Sequence, residues 1–169
     1  MKIYPIVGVI GVLMVVGSLG SIAYSEINKS KVNNEYLSLD LGENWSVTEE
    51  RRTETDQPYR LTVDYSTDGG ADARVAFYVF SADSEDTDEV ALLLIDSMHA
   101  GFDGVDGMIV SDVEMSNGRL QFTMLADGFC EKFVVIPMKN RLIVVEQIYV
   151  DNMAMRVESD ALVDRAALK

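Results

Sequence analysis

One histidine and one cysteine stand in this chain, and carboxylates make up most of its other reactive side chains. His99 falls on a predicted helix with Asp96 three residues before it, a pair that could orient an imidazole as a general base. No nucleophile at a recognisable spacing accompanies it, and one imidazole cannot build a histidine-based metal site. His99 is therefore read as a structural or half-exposed helix residue. Cys130 lies between apolar stretches. A reactive thiol needs a basic neighbourhood to lower its pKa, and Lys132 is the only nearby candidate. Cys130 reads as buried filler, and a lone cysteine allows no intrachain disulfide, thiol pair or zinc cluster.

The carboxylates form two clusters. Asp83, Glu85, Asp86, Asp88 and Glu89 precede the predicted helix, where its dipole favours negative charge. Asp103-Gly104-Val105-Asp106-Gly107 follows it, where the dipole disfavours carboxylates. Asp103 and Asp106 on that glycine-flexed loop could supply oxygens to Ca²⁺, and they are the candidate metal ligands. Their spacing does not match an EF-hand, and Asp-Gly pairs are also ordinary turn residues. No Gly-rich phosphate loop is present, and no catalytic or cofactor-binding residue is singled out. A carboxylate hydrolase with one acid and one base stays open, since no recognisable pairing joins the many Asp and Glu.

The net charge is −14, from 28 acidic and 14 basic side chains. Such a surface repels phosphate backbones and anionic headgroups, so nucleic acid is excluded as an expected partner. Basic partners and cations are favoured instead.

The chain's elements are arranged around one apolar stretch. Residues 3–24, IYPIVGVIGVLMVVGSLGSIAY, carry no charged side chain. As a helix they span about 33 Å, the thickness of a bilayer's hydrocarbon core. Tyr4 and Tyr24 would stand at the two membrane interfaces. Length favours a retained transmembrane anchor over a signal peptide, although Ser21-Ile22-Ala23 is a small-x-small triplet of the kind signal peptidase accepts. Gly17 and Ser21 form a small-xxx-small pair that could contact another membrane helix. The short Lys2 tail resembles a secretory start, which places the following domain on the extracytoplasmic side.

Residues 25–35 read as a polar linker. Short strands follow over residues 36–41, 45–47, 60–65 and 73–81, the last apolar on both faces and hence expected in the middle of a sheet. A helix is predicted from the N-cap Asp86, with Ala91, Leu94, Ile95, Met98 and Phe102 on one face. Asn117-Gly118 is the favoured two-residue loop of a type I′ hairpin. It predicts the pairs Ser116–Arg119, Met115–Leu120, Glu114–Gln121, Val113–Phe122, Asp112–Thr123 and Ser111–Met124. Strands over 133–137 and 142–150 and a closing helix over 153–168 complete the chain, with Val157, Ala161, Leu162, Ala166 and Leu168 expected to face the sheet.

This order of elements, with the Gly-x-x-Trp turn of Leu39-Asp40-Leu41-Gly42-Glu43-Asn44-Trp45, the mid-chain helix, the Asn-Gly hairpin and the terminal amphipathic helix, resembles the PsbP-like α/β/α sandwich domains. The resemblance covers residues 36–168 as element order. Leu41 stands where those relatives commonly have Pro. The resemblance implies an accessory or binding protein tethered to a membrane or secreted, and it transfers no functional residue. The expectation is an α+β domain over residues 36–169, an antiparallel sheet flanked by two helices. One N-terminal transmembrane helix would hold it to the bilayer, and it would bind an envelope protein without catalysing a reaction. A cation-dependent ligand-binding domain is the alternative.

Overall fold

A computed structural model describes residues 30–67, 71–82 and 86–169. The apolar stretch 3–24, with Gly17 and Ser21, lies outside the described residues, as do Asp83 and Glu85. Among the described residues, no helix is long and apolar enough to cross a membrane.

Five strands come first: β1 (Lys31–Asn33), β2 (Leu37–Asp40), β3 (Trp45–Arg52), β4 (Tyr59–Tyr65) and β5 (Ala73–Ser81). Helix α1 (Thr87–Phe102) crosses over to β6 (Ile109–Val110), β7 (Glu114–Ser116), β8 (Arg119–Ala126), β9 (Phe129–Met138) and β10 (Arg141–Val150). Helix α2 (Met153–Arg165) and β11 (Ala167–Leu168) close the chain. The main sheet runs β3-β4-β5-β10-β9-β8-β6, with β7 also on β8, and a small sheet runs β1-β2-β11. Every pairing is antiparallel. The chain thus has an α+β fold built on antiparallel sheets and two helices.

Strands β5, β10 and β9 sit inside the sheet because both of their faces are apolar, as the sequence pattern implied. On one face, Tyr78, Phe80, Leu142, Val144, Phe122 and Phe133 pack against the Val90, Ala91, Leu94, Ile95 and Met98 side of α1. The Asp86 carboxylate caps this helix by accepting from Glu89 N–H at 3.1 Å. On the other face, Val63, Val75, Phe77, Ile143 and Val145 pack against α2 and the small sheet. In the Gly-x-x-Trp turn, Gly42 adopts φ 71° and Asn44 φ 66°, which delivers a buried Trp45 edge-on to Tyr65.

Three expectations are corrected. First, Lys31–Asn33 lies inside the segment read as linker, yet forms β1 by pairing with β2, because Val32 alternates between exposed neighbours and buries itself in the core. Second, the Asn117-Gly118 hairpin holds the three pairs next to its turn, Ser116–Arg119, Met115–Leu120 and Glu114–Gln121. The next three do not form. Val110 pairs Met124 and Ile109 pairs Leu125, one residue out of the expected register. Thr123 bonds Ser111 through both its N–H, to the Ser111 hydroxyl, and its carbonyl, to the Ser111 N–H. That irregular segment interrupts the ladder between β6 and β7. Third, α2 ends at Arg165 and not at residue 168. Its inward stripe is Met155, Ser159, Leu162, Val163 and Ala166, while Val157 is 56% exposed. Leu162 and Ala166 face the core as expected, while Met155, Ser159 and Val163 complete the stripe in place of Val157 and Ala161. Leu168 joins the small sheet instead, opposite Leu37.

Candidate functional site

The sheet face under α2 is aliphatic in the row Val47–Val63–Val75, then turns polar across Gln147, Lys132 and Thr123 on β10, β9 and β8. The pleat sends all six side chains to one face. Asp160 and Asp164, four apart on α2, stand over this polar end. Asp160 accepts from Lys132 Nζ at 2.8 Å and Asp164 from Arg119 Nη1 at 3.0 Å. Between helix and sheet lies a cleft of about 180 Å³ floored by Gln121, Lys132 and Gln147 and bordered by the tip of the β7–β8 hairpin. Gln147 is 1% exposed, and its Oε1 has no hydrogen-bond donor among the described residues. A second cleft of about 260 Å³ lies on the other side of Lys132, beside Tyr149, Asn152 and Arg156.

The α2 N-terminus that walls this second cleft is set by Asn152, whose side chain accepts from Met155 N–H at 2.9 Å. Cys130 is buried there, its thiol donating to Tyr149 Oη at 3.3 Å. Burial, then the bond to Cys130, holds the Tyr149 phenol protonated above its usual range. Cys130 thus sits as packed filler.

The opposite face carries an arrangement that the sequence did not reveal. Glu131 and Glu146, fifteen positions apart, become diagonal neighbours through the β9–β10 register, in which Glu146 pairs Phe133 and Ile148 pairs Glu131. Tyr78 Oη donates to Glu146 Oε2 at 2.7 Å, and the Arg60 guanidinium lies 5.0 Å from the Tyr78 ring centre. Burial first, then the hydrogen bond to and the charge of Glu146, raise the Glu131 carboxyl well above the ordinary carboxylate range. The Glu131 carboxyl therefore keeps its proton at neutral pH. Two glutamates apart in sequence give no spacing signal. Only their common strand parity and the hairpin between β9 and β10 could have hinted at the pair.

The residues singled out from the sequence lie elsewhere. His99 Nε2 carries its proton and donates to the Ser111 carbonyl at 3.0 Å, while its ring stands edge-on to Phe122. No hydrogen bond joins it to Asp96 among the described residues. Asp103 caps the end of α1, its N–H donating to the His99 carbonyl, and Asp103 and Asp106 are both exposed. No group of three or more His, Cys, Asp or Glu able to hold a metal ion occurs among the described residues. The structure thus joins neither His99 to Asp96 nor the Asp103 loop to any of the carboxylates above.

No family model and no curated protein matches the chain. Solved structures do. The cyanobacterial PsbP (CyanoP) from Synechocystis sp. PCC 6803 aligns over 90% of this chain and 100% of its own, with a TM-score of 0.51 at 10% identity. LpqN of Mycobacterium tuberculosis, described as involved in cell envelope biogenesis, aligns over 82% and 89%, with a TM-score of 0.46 at 12% identity. The extracellular domain of PknH, from the same organism, covers 66% of each chain with a TM-score of 0.45 at 13% identity. At these identities the likeness concerns the fold alone. The resemblance read from the Gly-x-x-Trp turn and the element order is matched in three dimensions, and this chain carries a PsbP-like α/β/α sandwich.

Proposed function

We propose that this chain is a membrane-tethered, extracytoplasmic accessory domain that works by binding, with the cleft beside α2 as its recognition site. The observation that carries the proposal is Gln147, a buried amide that lines the cleft and whose oxygen has no donor among the described residues, while the cleft's charged groups are paired with one another. Such a site offers hydrogen bonds to a bound group. Among the described residues its carboxylates are both engaged by cations, which leaves no free base there to transform one. The uncharged stretch 3–24 supports the tether, and the acidic composition supports basic or neutral partners over nucleic acid.

The Glu131–Glu146 pair favours a second reading, a carboxylate hydrolase in which the protonated Glu131 serves as the acid. It ranks second because Glu146 already accepts from Tyr78 and Glu131 is hydrogen-bonded to Glu146, which leaves fewer lone pairs for a substrate.

Affinity capture from gently solubilised native membranes tests the first reading. The baits are the full chain, a soluble form starting at Ser30 so that β1 is kept, and the full chain carrying Arg119→Ala and Gln121→Ala on the cleft's border. Retention of one reproducible set of components by the first two, lost from the third, is expected. Equal retention by all three, or retention by none, refutes the role of the cleft.

A further inference from the structure

The chemistry of the cleft specifies its ligand more closely, on the reading that the cleft binds. Arg119 and Lys132 contribute two positive charges and Asp160 and Asp164 two negative ones, so the walls are neutral in a chain whose net charge is −14. An ionised ligand would have to lie beside a wall group of its own sign. A neutral ligand need not. The pairs use one oxygen of each carboxylate and one nitrogen of each cation. The remaining oxygens and N–H groups, together with the Gln121 amide, present donors and acceptors side by side. Gln147 Oε1 adds an acceptor at the floor that has no donor among the described residues, an arrangement that a donor would stabilise. A group with several adjacent hydroxyls, each both donor and acceptor, answers all of these at once. The volume of about 180 Å³ lies below the roughly 300–1,000 Å³ typical of pockets for drug-sized molecules, so the group is small.

We infer that the cleft between α2 and strands β8–β10 binds a neutral polyhydroxylated group of monosaccharide size, one of whose hydroxyls donates to Gln147 Oε1. The partner's recognised part is then a sugar or polyol unit, and Lys132, Arg119, Asp160 and Asp164 hold it through hydrogen bonds without changing their own pairing.

The test is nuclear magnetic resonance of the isotope-labelled full chain titrated with glucose, N-acetylglucosamine and myo-inositol into the millimolar range, with sodium acetate and inorganic phosphate as ionised probes. At least one neutral probe should shift the side-chain amide signals of Gln121 and Gln147 and the backbone signals of residues 160–164 in a saturable way. Gln147→Leu, which replaces an unanswered polar group by an apolar one of similar size and so keeps the fold, should raise the half-saturating concentration at least tenfold. The inference is overturned if none of the neutral probes gives saturable shifts at these signals, if Gln147→Leu leaves the response unchanged, or if only acetate or phosphate binds. Component capture that depends on the cleft border but comes without any sugar response would uphold the binding role and sink the sugar assignment alone.

Discussion

Glu131→Gln should make the protein more stable at neutral and alkaline pH while leaving its stability near pH 4.5 almost unchanged. Burial and Glu146 push the Glu131 carboxyl up to about 8 from an ordinary 4.5. The folded chain therefore binds more protons than the unfolded chain between those values, and stability falls as pH rises across that window. The favourable contribution is complete below about 4.5 and is gone above about 8. At about 1.36 kcal/mol per pH unit, a window of about 3.5 units sets a ceiling of about 5 kcal/mol. Because side chains and water relax around a newly ionised buried group, the expected loss is smaller, on the order of 2–3 kcal/mol. A glutamine keeps one donor and one acceptor in place of the protonated carboxyl and has nothing to ionise. The groups around the pair, Tyr78, Glu146 and Arg60, are present in both proteins, so the difference between them isolates Glu131. Urea unfolding of both chains at constant ionic strength, from below pH 4.5 to above pH 8, gives the two stability curves. The variant should gain on the wild type as pH rises. Parallel curves, or a wild type that gains on the variant, would refute the reasoning that the buried Glu131 keeps its proton.

Asn152→Ala removes the N-cap of α2 and should cost about 1 kcal/mol in urea unfolding, with Asn152→Asp recovering most of it. Phe122→Ala empties the space between Phe102, Phe133 and the His99 ring, and a loss of about 3–5 kcal/mol is expected, read as a lowered thermal midpoint. The buried Cys130 thiol should react with an aromatic disulfide reagent only as fast as the fold opens, so that mild urea accelerates the reaction. A thiol that reacts at the rate of the unfolded chain in buffer alone would show the packing around Tyr149 to be wrong.

Where local physics dominates, the sequence is enough. Ala73–Ser81 had to lie inside a sheet because both of its faces are apolar, and it does. Asp86, one turn before an apolar run, had to cap a helix, since its carboxylate is the nearest acceptor for an otherwise unpaired N–H. Asn117-Gly118 had to turn tightly, because both residues tolerate positive φ, and the three pairs beside the turn follow from its two-residue length. The Asp127-Gly128 turn between β8 and β9, with φ 49° and 78°, carries the same signal.

Contacts between distant segments were not legible in this way. The hairpin ladder slips by one residue beyond Glu114 because the segment holding Ser111 also answers His99 on α1, a demand that strand alternation cannot express. Part of the inward stripe of α2 was decided by what packs beneath it, since Ser159 is buried and the more apolar Val157 exposed. The cleft needs Gln147, Lys132 and Asp160 from three elements, and the carboxyl pair needs Glu131 and Glu146 to meet across two strands. By itself, the sequence determined the acidic charge, the uncharged stretch, the element order and the fold class, because these rest on composition and on periodicities of a few residues. Only the tertiary structure decided which polar groups are buried, because burial depends on what the chain brings over them from far away.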